Sequence, residues 1–515
     1  MTMTSTATGS ISAPGDRAAV RRVADAGLFV LLSASFWISA GAIAATRPYW
    51  MDEVLAVWTA RMSTAGGVWD ALMKGAEFSP PLYHLMLQKI IQLGGGGALS
   101  LRLPSIAAIY IVGLAGFILA RRRYAAPLAL LAMAMCLTSC LFLFATQARQ
   151  NAPVAACFAL AVVLWDIPAD KRPSWWSAAG IFALLSTAVG MHFYAVLLAA
   201  SVGLMELAWM AVHRRIRWLY VIAIGLACLS VFLWWPLMQQ MTAFNAGDSS
   251  APDYYARPLL VILAANYPFL LIRADAIVLS PLTVLIVAIV VRTVIRKPAA
   301  AKLRPADNLP IIIAVTCAIP LLVFAFASVV THTFNMRYVI AATLGLSLFT
   351  VQLIAGMRWA AAGAYAATAA AAGVLIYSLV VPPQSLTTRS IALVNGARSA
   401  LTIATGQGLR YLELREGAAP AAVSRLVYLK SSRGTASPDP TNEHQVERWA
   451  SIDARVAVSD IAPFVAANPR FLIYSDSEAV DLLPQQLKAF GCTATEIARD
   501  GTAYLAEVSG CPAGK

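Results

Sequence analysis

Apolar residues follow one another in long stretches as far as residue 380, and short polar linkers separate the stretches. A membrane-spanning helix needs about 20 consecutive apolar residues. The pattern predicts about eleven transmembrane helices, at 26–45, 101–120, 125–145, 150–167, 174–190, 192–212, 217–237, 276–296, 309–330, 336–356 and 359–380. The apolar stretch 81–93 is shorter and carries His84 and Lys89, so we interpret it as a helix lying at the membrane interface.

The pattern changes after residue 385, where charges and prolines return and no stretch could cross a membrane. Alternating or compact apolar runs predict strands at 425–429 and 470–474, and an amphipathic helix at 479–490. Segments 493–498 and 502–508 flank an Asp-Gly pair, which is a strong hairpin signal. Cys492 and Cys511 lie at the two ends of this hairpin, and we hypothesise a disulfide between them.

These patterns give a fold class and a domain division. We expect an all-α polytopic membrane domain followed by a small α/β domain outside the cytoplasm. Residues 1–25 are predicted to be a disordered cytoplasmic tail, 26–385 the transmembrane domain with its first outer loop at 46–100, and 386–515 the α/β domain.

Composition and charge agree with a membrane protein and locate its two faces. Hydrophobic residues make up 59% of the chain and charged residues 13%, against about a quarter charged in soluble domains. With the N-terminus in the cytoplasm, the dense basic clusters all fall on inner loops, as the positive-inside rule requires; they lie at 21–22, 121–123, 171–172, 214–217, 296–304 and 358. The net charge of +13 therefore reflects topology, and no nucleic-acid partner is expected.

Polar side chains gather at the predicted outer ends of the spans, while the middles of the spans are mostly Ala, Leu, Val and Ile. Asp52 and Glu53 follow the first span directly, and a carboxylate pair at a membrane surface is costly to hold without a function. A secondary transporter would instead place ionisable groups near the middle of the bilayer. The arrangement favours a substrate with a lipid tail in the membrane and a polar head at its outer surface.

A set of short motifs recurs in a distinctive order between about residues 45 and 340. They are YWMDE at 49–53, SPPLY at 79–83, LRLPS at 101–105, Arg149, MHFY at 191–194, and Arg337 with Tyr338. In this order the chain resembles the GT-C class of integral membrane glycosyltransferases. Within that class it is most similar to the bacterial branch related to protein O-mannosyltransferases and to the transferases that add aminoarabinose or galacturonic acid to lipid A.

The resemblance implies a function and a donor. Members of the class transfer a sugar from a polyprenyl-phosphate carrier to an acceptor at the outer side of the membrane. The chain would then be a bacterial inner-membrane enzyme of cell-envelope glycan biosynthesis, with its active site and C-terminal domain in the periplasm. Its partners would be membrane lipids, the polyprenyl-phosphate sugar, and a glycan, lipid A or protein acceptor.

The same resemblance assigns roles to residues. Asp52 would be the catalytic carboxylate, which chemistry also requires, because an attacking hydroxyl must lose its proton to a base during an inverting displacement. The departing lipid phosphate gains charge, and guanidinium groups match its oxygens. The predicted sites are catalytic Asp52 and Glu53, phosphate-binding Arg337, Tyr338, Arg149 and His192, and acceptor- or sugar-binding Glu77, Tyr83, His84 and Gln147.

Departures from the family pattern leave metal use open. Gln147 and Asn151 stand on the second outer loop where the family often has an acid and a tyrosine, and Ser79 stands where a histidine often precedes the two prolines. Glu53, Glu77 and His84 are candidate ligands for a divalent ion by their chemistry, although their spacing is not a metal signature.

Two other interpretations remain open from the sequence. The chain could be a transporter or flippase for lipid-linked sugars, although its spans offer no evident polar path. It could also be a scaffold with a degenerate catalytic core and an outer binding domain. Gln147 and Asn151, which stand where the family often has an acid and a tyrosine, are consistent with this interpretation.

Overall fold

The computed structural model describes residues 14–248, 256–271, 307–380, 385–430, 440–476 and 481–511. The membrane part of these residues is helical. Its α-helices are α1 Pro14–Thr46, α2 Met51–Ala60, α3 Ala65–Met73, α4 Leu82–Gln92, α5 Ala98–Arg121, α6 Ala126–Thr138, α7 Leu141–Ala145, α8 Asn151–Trp165, α9 Trp175–Met191, α10 Ala195–His213, α11 Trp218–Leu229, α12 Trp235–Asp248, α13 Leu260–Leu271, α14 Leu309–Cys317, α15 Ile319–Phe326, α16 Ala342–Ile354 and α17 Ala360–Val380.

Six helical segments among the described residues are long and apolar enough to cross a bilayer. They are Ala19–Thr46, Ala98–Arg121, Ala195–His213, Trp218–Phe244, Leu309–Thr331 and Ala360–Val380. Shorter apolar helices occupy four further predicted spans, namely α6, α8, α9 and α16. The predicted span 276–296 lies outside the described residues. The predicted all-helical polytopic architecture is confirmed.

Several boundaries differ from the sequence prediction. Helix α1 begins at Pro14, within the segment 1–25 predicted to be disordered, because proline is well suited to a first helical turn and the following Ala and Arg residues favour helix. The predicted span 125–145 is broken after Thr138, where Ser139 donates to the Cys136 carbonyl at 3.0 Å and accepts from the Leu141 amide at 3.3 Å. Such a side chain competes with the helical hydrogen bonds.

Another difference lies between residues 238 and 275, which the predicted spans 217–237 and 276–296 leave as a long connection between them. The described part of this segment is largely helical, with the end of α12 and the apolar helix α13. Apolar residues of α13 pack into the main core, which explains why this short run is helical.

The predicted span 336–356 starts later than expected. A 3₁₀ turn occupies Met336–Tyr338, and the side-chain oxygen of Asn335 accepts from the Arg337 amide at 3.2 Å. The cap turns the chain before α16 begins at Ala342, so Arg337 and Tyr338 stand on a loop at the end of the bundle.

The C-terminal part is the predicted α/β unit. Its helices are α18 Leu386–Asn395, α19 Gly408–Gly417, α20 Pro420–Val423, α21 Pro440–Ile452, α22 Ile461–Ala467 and α23 Leu483–Ala489. Its strands are β1 Ile403–Thr405, β2 Leu426–Lys430, β3 Val458–Asp460, β4 Phe471–Ser475, β5 Thr493–Asp500 and β6 Ala503–Ser509.

These strands form one sheet in the order β3-β2-β1-β4-β6-β5. Strands β1 to β4 are mutually parallel where they pair, and β6 runs antiparallel to both β4 and β5. The predicted hairpin is β5-β6, which turns at Gly501 with a positive φ of 63°. The hypothesised disulfide between Cys492 and Cys511 is present and joins the two open ends of that hairpin.

Residues 46–100, the predicted first outer loop, share a hydrophobic core with the C-terminal unit. Val54 and Trp58 of α2 pack in one cluster with Tyr411, Leu412 and Trp449. The ring of Trp58 meets the ring of Trp449 edge to face, with 5.1 Å between centroids. Helix α2 is therefore held between the transmembrane bundle and the α/β unit.

Candidate active site

Asp52 lies in the first turn of α2 and is buried, with 7% of its surface exposed. One carboxylate oxygen accepts a hydrogen bond from the Arg337 guanidinium. The same oxygen lies 3.4 Å from Nη2 of Arg149, and Nη1 of Arg149 donates to the Asp52 main-chain carbonyl at 2.7 Å. Residues from three distant segments thus meet at this carboxylate, and all three are among the predicted site residues, whose roles stay a prediction.

The charge state of Asp52 follows from these neighbours. Burial opposes ionisation of the carboxyl group, but the guanidinium groups of Arg149 and Arg337 outweigh burial and hold the pKa of Asp52 below its ordinary value. Asp52 is therefore ionised at neutral pH. The pKa of Arg149 is raised in turn, because the attraction of Asp52 and Glu77 exceeds the cost of its burial.

Glu77 forms the other side of this network. It accepts from Nη1 of Arg149, and its second oxygen lies 3.4 Å from Nε2 of His84. The same His84 nitrogen is 2.9 Å from the hydroxyl of Ser79. Burial lowers the pKa of His84 despite the nearby Glu77 carboxylate, so the ring is held neutral. Glu77 and His84 are thus brought to the predicted site through Arg149.

Glu53 belongs to a separate ion-pair group and is fully buried. The guanidinium of Arg102 binds both of its oxygens, with Nε at 2.8 Å and Nη2 at 3.0 Å. The Ala148 amide donates at 2.7 Å, and Arg47 and the Trp50 amide each donate at 3.1 Å. Donors from the protein itself already bind both carboxylate oxygens of Glu53, so this geometry favours a positioning role for Glu53. Its predicted catalytic role stays a prediction.

Arg102 joins this group to the end of the first helix. Besides Glu53, it donates to the carbonyls of Ala44 and Arg47 at 2.7 Å and of Pro48 at 3.0 Å. The Arg102 cation lies at the C-terminus of α1 and the Glu53 anion lies at the N-terminus of α2, and each charge is stabilised by the dipole of that helix. Arg102 therefore fixes the corner from which Asp52 projects.

The sequence interpretation missed this role of Arg102 and Arg47. The available signal was a charged residue inside a predicted span, at the second position of LRLPS, because such a residue is almost always paired.

His192, Tyr338 and Arg337 line one small cavity together with Asn151 and Tyr194, and Arg337 connects this cavity to Asp52. The Tyr194 and Tyr338 rings stack with centroids 4.1 Å apart. Nδ1 of His192 accepts from the Tyr194 amide at 3.1 Å, which leaves Nε2 as the ring's donor. Burial, with help from the two arginines, lowers the pKa of His192 to about 3.

The remaining predicted residues, Tyr83 and Gln147, are both buried near this centre. Tyr83 follows SPPL in α4, where burial raises the pKa of its hydroxyl. Gln147 stands in the tight loop between α7 and α8, and its carbonyl accepts from the Arg149 amide at 2.9 Å. Among the described residues, Asp52 forms its ion pairs with Arg149 and Arg337, and not with either of these side chains.

The proposed metal ligands do not form one cluster. No group of three or more His, Cys, Asp or Glu side chains among the described residues is placed to hold a metal ion. Glu77 and His84 are adjacent, but Glu53 is enclosed by Arg102 and Arg47. Metal use therefore stays open.

Comparisons with known proteins agree with this architecture. A family model described as dolichyl-phosphate-mannose-protein mannosyltransferase matches residues 79–235. The crystal structure of ArnT from Cupriavidus metallidurans bound to undecaprenyl phosphate has a TM-score of 0.54 and 13% identity, covering 93% of this chain and 98% of that one. ArnT in the apo state gives a TM-score of 0.55 and 12% identity, covering 94% and 98%. No curated protein sequence matches significantly.

The class of protein follows from these findings. Over nearly its whole length the chain has a fold similar to that of ArnT, and the family match covers residues 79–235; both findings agree with the predicted resemblance to the GT-C membrane glycosyltransferases. The match of residues 79–235 to a mannosyltransferase family model supports the predicted glycosyltransferase activity.

Proposed function

We propose that the protein transfers a sugar from a polyprenyl-phosphate donor to a hydroxyl acceptor at the outer face of the membrane. The observation that carries this proposal is the buried, ionised carboxylate of Asp52 between Arg149 and Arg337. Arg337 also lines a cavity together with His192 and Tyr338. A carboxylate beside two guanidinium groups supplies both a base and a phosphate site.

The reaction would proceed by a single displacement with inversion. Asp52 takes the proton of the acceptor hydroxyl as the acceptor oxygen bonds to the anomeric carbon. The bond from that carbon to the phosphate oxygen breaks, and the lipid phosphate leaves with the bonding electrons. Arg337 stabilises the added charge on the phosphate, and the neutral His192 ring and Tyr338 hydroxyl donate hydrogen bonds.

Donor binding would also release the base. In the described structure Arg337 is bound to Asp52, whereas in the complex the donor phosphate would compete for the same guanidinium. Losing one positive neighbour raises the proton affinity of Asp52 just when an acceptor proton must be taken. The network therefore couples occupation of the phosphate site to the strength of the base.

Placement of the charged residues supports an enzyme over a transporter. Asp52, Arg149, His192 and Arg337 all stand where helices begin or end. They do not line a path through the middle of the described spans, as a transport site would.

The similar ArnT structure, solved with undecaprenyl phosphate, supports a polyprenyl-phosphate donor. We further propose that the chain lies in a bacterial inner membrane with this site facing the periplasm, in line with its basic inner loops. The acceptor is a hydroxyl of a lipid, polysaccharide or protein.

The test compares wild type with Asp52→Asn in nanodiscs supplied with radiolabelled polyprenyl-phosphate sugars. Removing a general base should lower transfer roughly 10²- to 10⁴-fold. Asp70→Asn is the matched control, since Asp70 is an exposed acid of the same outer loop and should be neutral. Full transfer by Asp52→Asn would refute the role of Asp52 as the general base. Binding of donors without turnover by the wild-type protein would refute the proposed transferase activity.

A further inference from the structure

Helix α19 of the C-terminal unit reaches the helix that carries Asp52. Glu413 of α19 is buried, with 1% of its surface exposed, and its Oε1 accepts from the Met51 amide at 3.1 Å. Met51 is the first residue of α2 and immediately precedes Asp52. The N-cap residue Trp50 offers no side-chain cap of its own to the first turn of α2.

A carboxylate is well suited to this position. The first amides of a helix have no acceptor within it, and the helix dipole favours negative charge there. Such caps normally come from the preceding residue of the same helix. Here the cap comes from a residue more than three hundred positions later, in a different folding unit.

Glu413 is itself fixed from its own side. Its Oε2 accepts from the hydroxyl of Thr387 at 2.9 Å and from Nη1 of Arg410 at 2.5 Å. Arg410 also pairs with Asp476 at the end of β4. The carboxylate that holds Met51 is therefore anchored to the sheet of the C-terminal unit.

A second contact of the same kind reaches the other acidic residue of the site. Gln445 of α21 donates to the carbonyls of Gly75 and Ala76 at 2.9 and 2.6 Å, and Trp449 donates to the Ala76 carbonyl at 3.1 Å. Ala76 immediately precedes Glu77, which binds Arg149. The C-terminal unit thus holds the main chain one residue before each of the two acids.

We propose that Glu413 is a positioning residue for the transfer reaction, and that the C-terminal unit sets the orientation of Asp52 through the Met51 amide. This inference deepens the proposed function and rests on it for its kinetic consequence. A displacement of the catalytic group by about 1 Å can lower the rate roughly 10²-fold. A contact that fixes the first turn of α2 can therefore affect the rate strongly.

The test uses the full chain in nanodiscs with the variant Glu413→Gln. We expect kcat to fall roughly tenfold or more, with the donor KM and the Kd for undecaprenyl phosphate unchanged. The hydrogen-bond partners of Glu413 among the described residues are Met51, Thr387 and Arg410, which do not line the cavity beside Arg337. A purely structural defect would weaken donor binding along with turnover. Unchanged kcat would overturn the inference.

The matched control is Glu416→Gln on the same helix. Glu416 binds Trp58 and Arg61 at 2.8 Å, at the far end of α2 from Asp52. Its loss should leave kcat within about twofold of wild type, since surface pairs contribute little. Equal losses of kcat in the two variants would overturn a specific role for Glu413.

A second measurement is independent of turnover. Hydrogen exchange over residues 50–55 should quicken in Glu413→Gln and stay unchanged in Glu416→Gln. If wild type turns over no donor, the proposed function fails, while the exchange result still decides whether Glu413 holds α2; unchanged exchange overturns that. Thr387→Val, which removes only one donor to Glu413, should give a smaller change in the same direction, and it serves if Glu413→Gln does not fold.

Discussion

At the scale of single residues, the site joins opposite charges that the sequence keeps far apart. Asp52, Arg149 and Arg337 could be selected from the sequence because they stand at span ends and in motifs of a known class. Their mutual contacts could not be predicted, since a salt bridge between residues 285 positions apart leaves no local pattern. The partners of Glu53 could not be predicted either. Because Glu53 is next to Asp52 in the sequence, the two acids suggested one shared catalytic role, but Glu53 binds Arg102 and Arg47 instead.

The pKa values predict a flat response of activity to pH. Asp52 has a lowered pKa and stays a carboxylate until the pH falls below the usual aspartate range, while His192, with a pKa of about 3, stays neutral. We therefore expect kcat/KM to be constant between about pH 5 and 8, measured with a saturating acceptor. Loss of activity near the ordinary histidine pKa, abolished in His192→Gln, would contradict this assignment.

A companion variant gives the sign of the electrostatic effect. Arg337→Gln removes one of the two positive neighbours that lower the pKa of Asp52. The acid limb of the pH profile should therefore move to higher pH, because less attraction remains to oppose the cost of burial. A limb at the wild-type position would show that Arg337 does not control the charge of Asp52.

At the scale of elements, the corner between α1 and α2 depends on two fully buried charges, Glu53 and Arg102. The sequence predicted the helix before this corner from the apolar stretch 26–45 and assigned the residues after it to the first outer loop. The angle between α1 and α2 could not be predicted, because it depends on one guanidinium that binds the carbonyls at the end of α1 and the acid at the start of α2.

Glu53→Gln should therefore damage folding more than chemistry. The substitution leaves Arg102 buried without a counter-charge, and breaking a buried pair costs about 3–5 kcal/mol. We expect a clear fall in apparent Tm in detergent, while Asp52→Asn, whose acid is less enclosed, should lose less. Asp70→Asn serves as the exposed control. Wild-type stability combined with lost transfer in Glu53→Gln would instead support the predicted catalytic role.

At the scale of the whole molecule, the predicted fold class, a helical membrane part with a small α/β part, is confirmed. It could be predicted because composition and periodicity change abruptly after residue 385. The sequence did not indicate that the two parts share a core. Trp58 and Trp449 meet only because α2 packs on α19 and α21. Amphipathic patterns show that a face is buried, but they do not show which other face covers it.

Because the loop 46–100 and the C-terminal unit share a core, a destabilising substitution in the C-terminal unit should also destabilise that loop. Trp449 is 1% exposed, so Trp449→Ala should cost about 3–5 kcal/mol. It also removes the donor to the Ala76 carbonyl, so hydrogen exchange should rise in 65–77 as well as in 440–452. Ile497→Thr, at a position 49% exposed on β5, is the control and should change neither segment. Faster exchange confined to 440–452 would show that the α/β unit folds as an independent appendage, and its influence on Asp52 would then have to be abandoned as well.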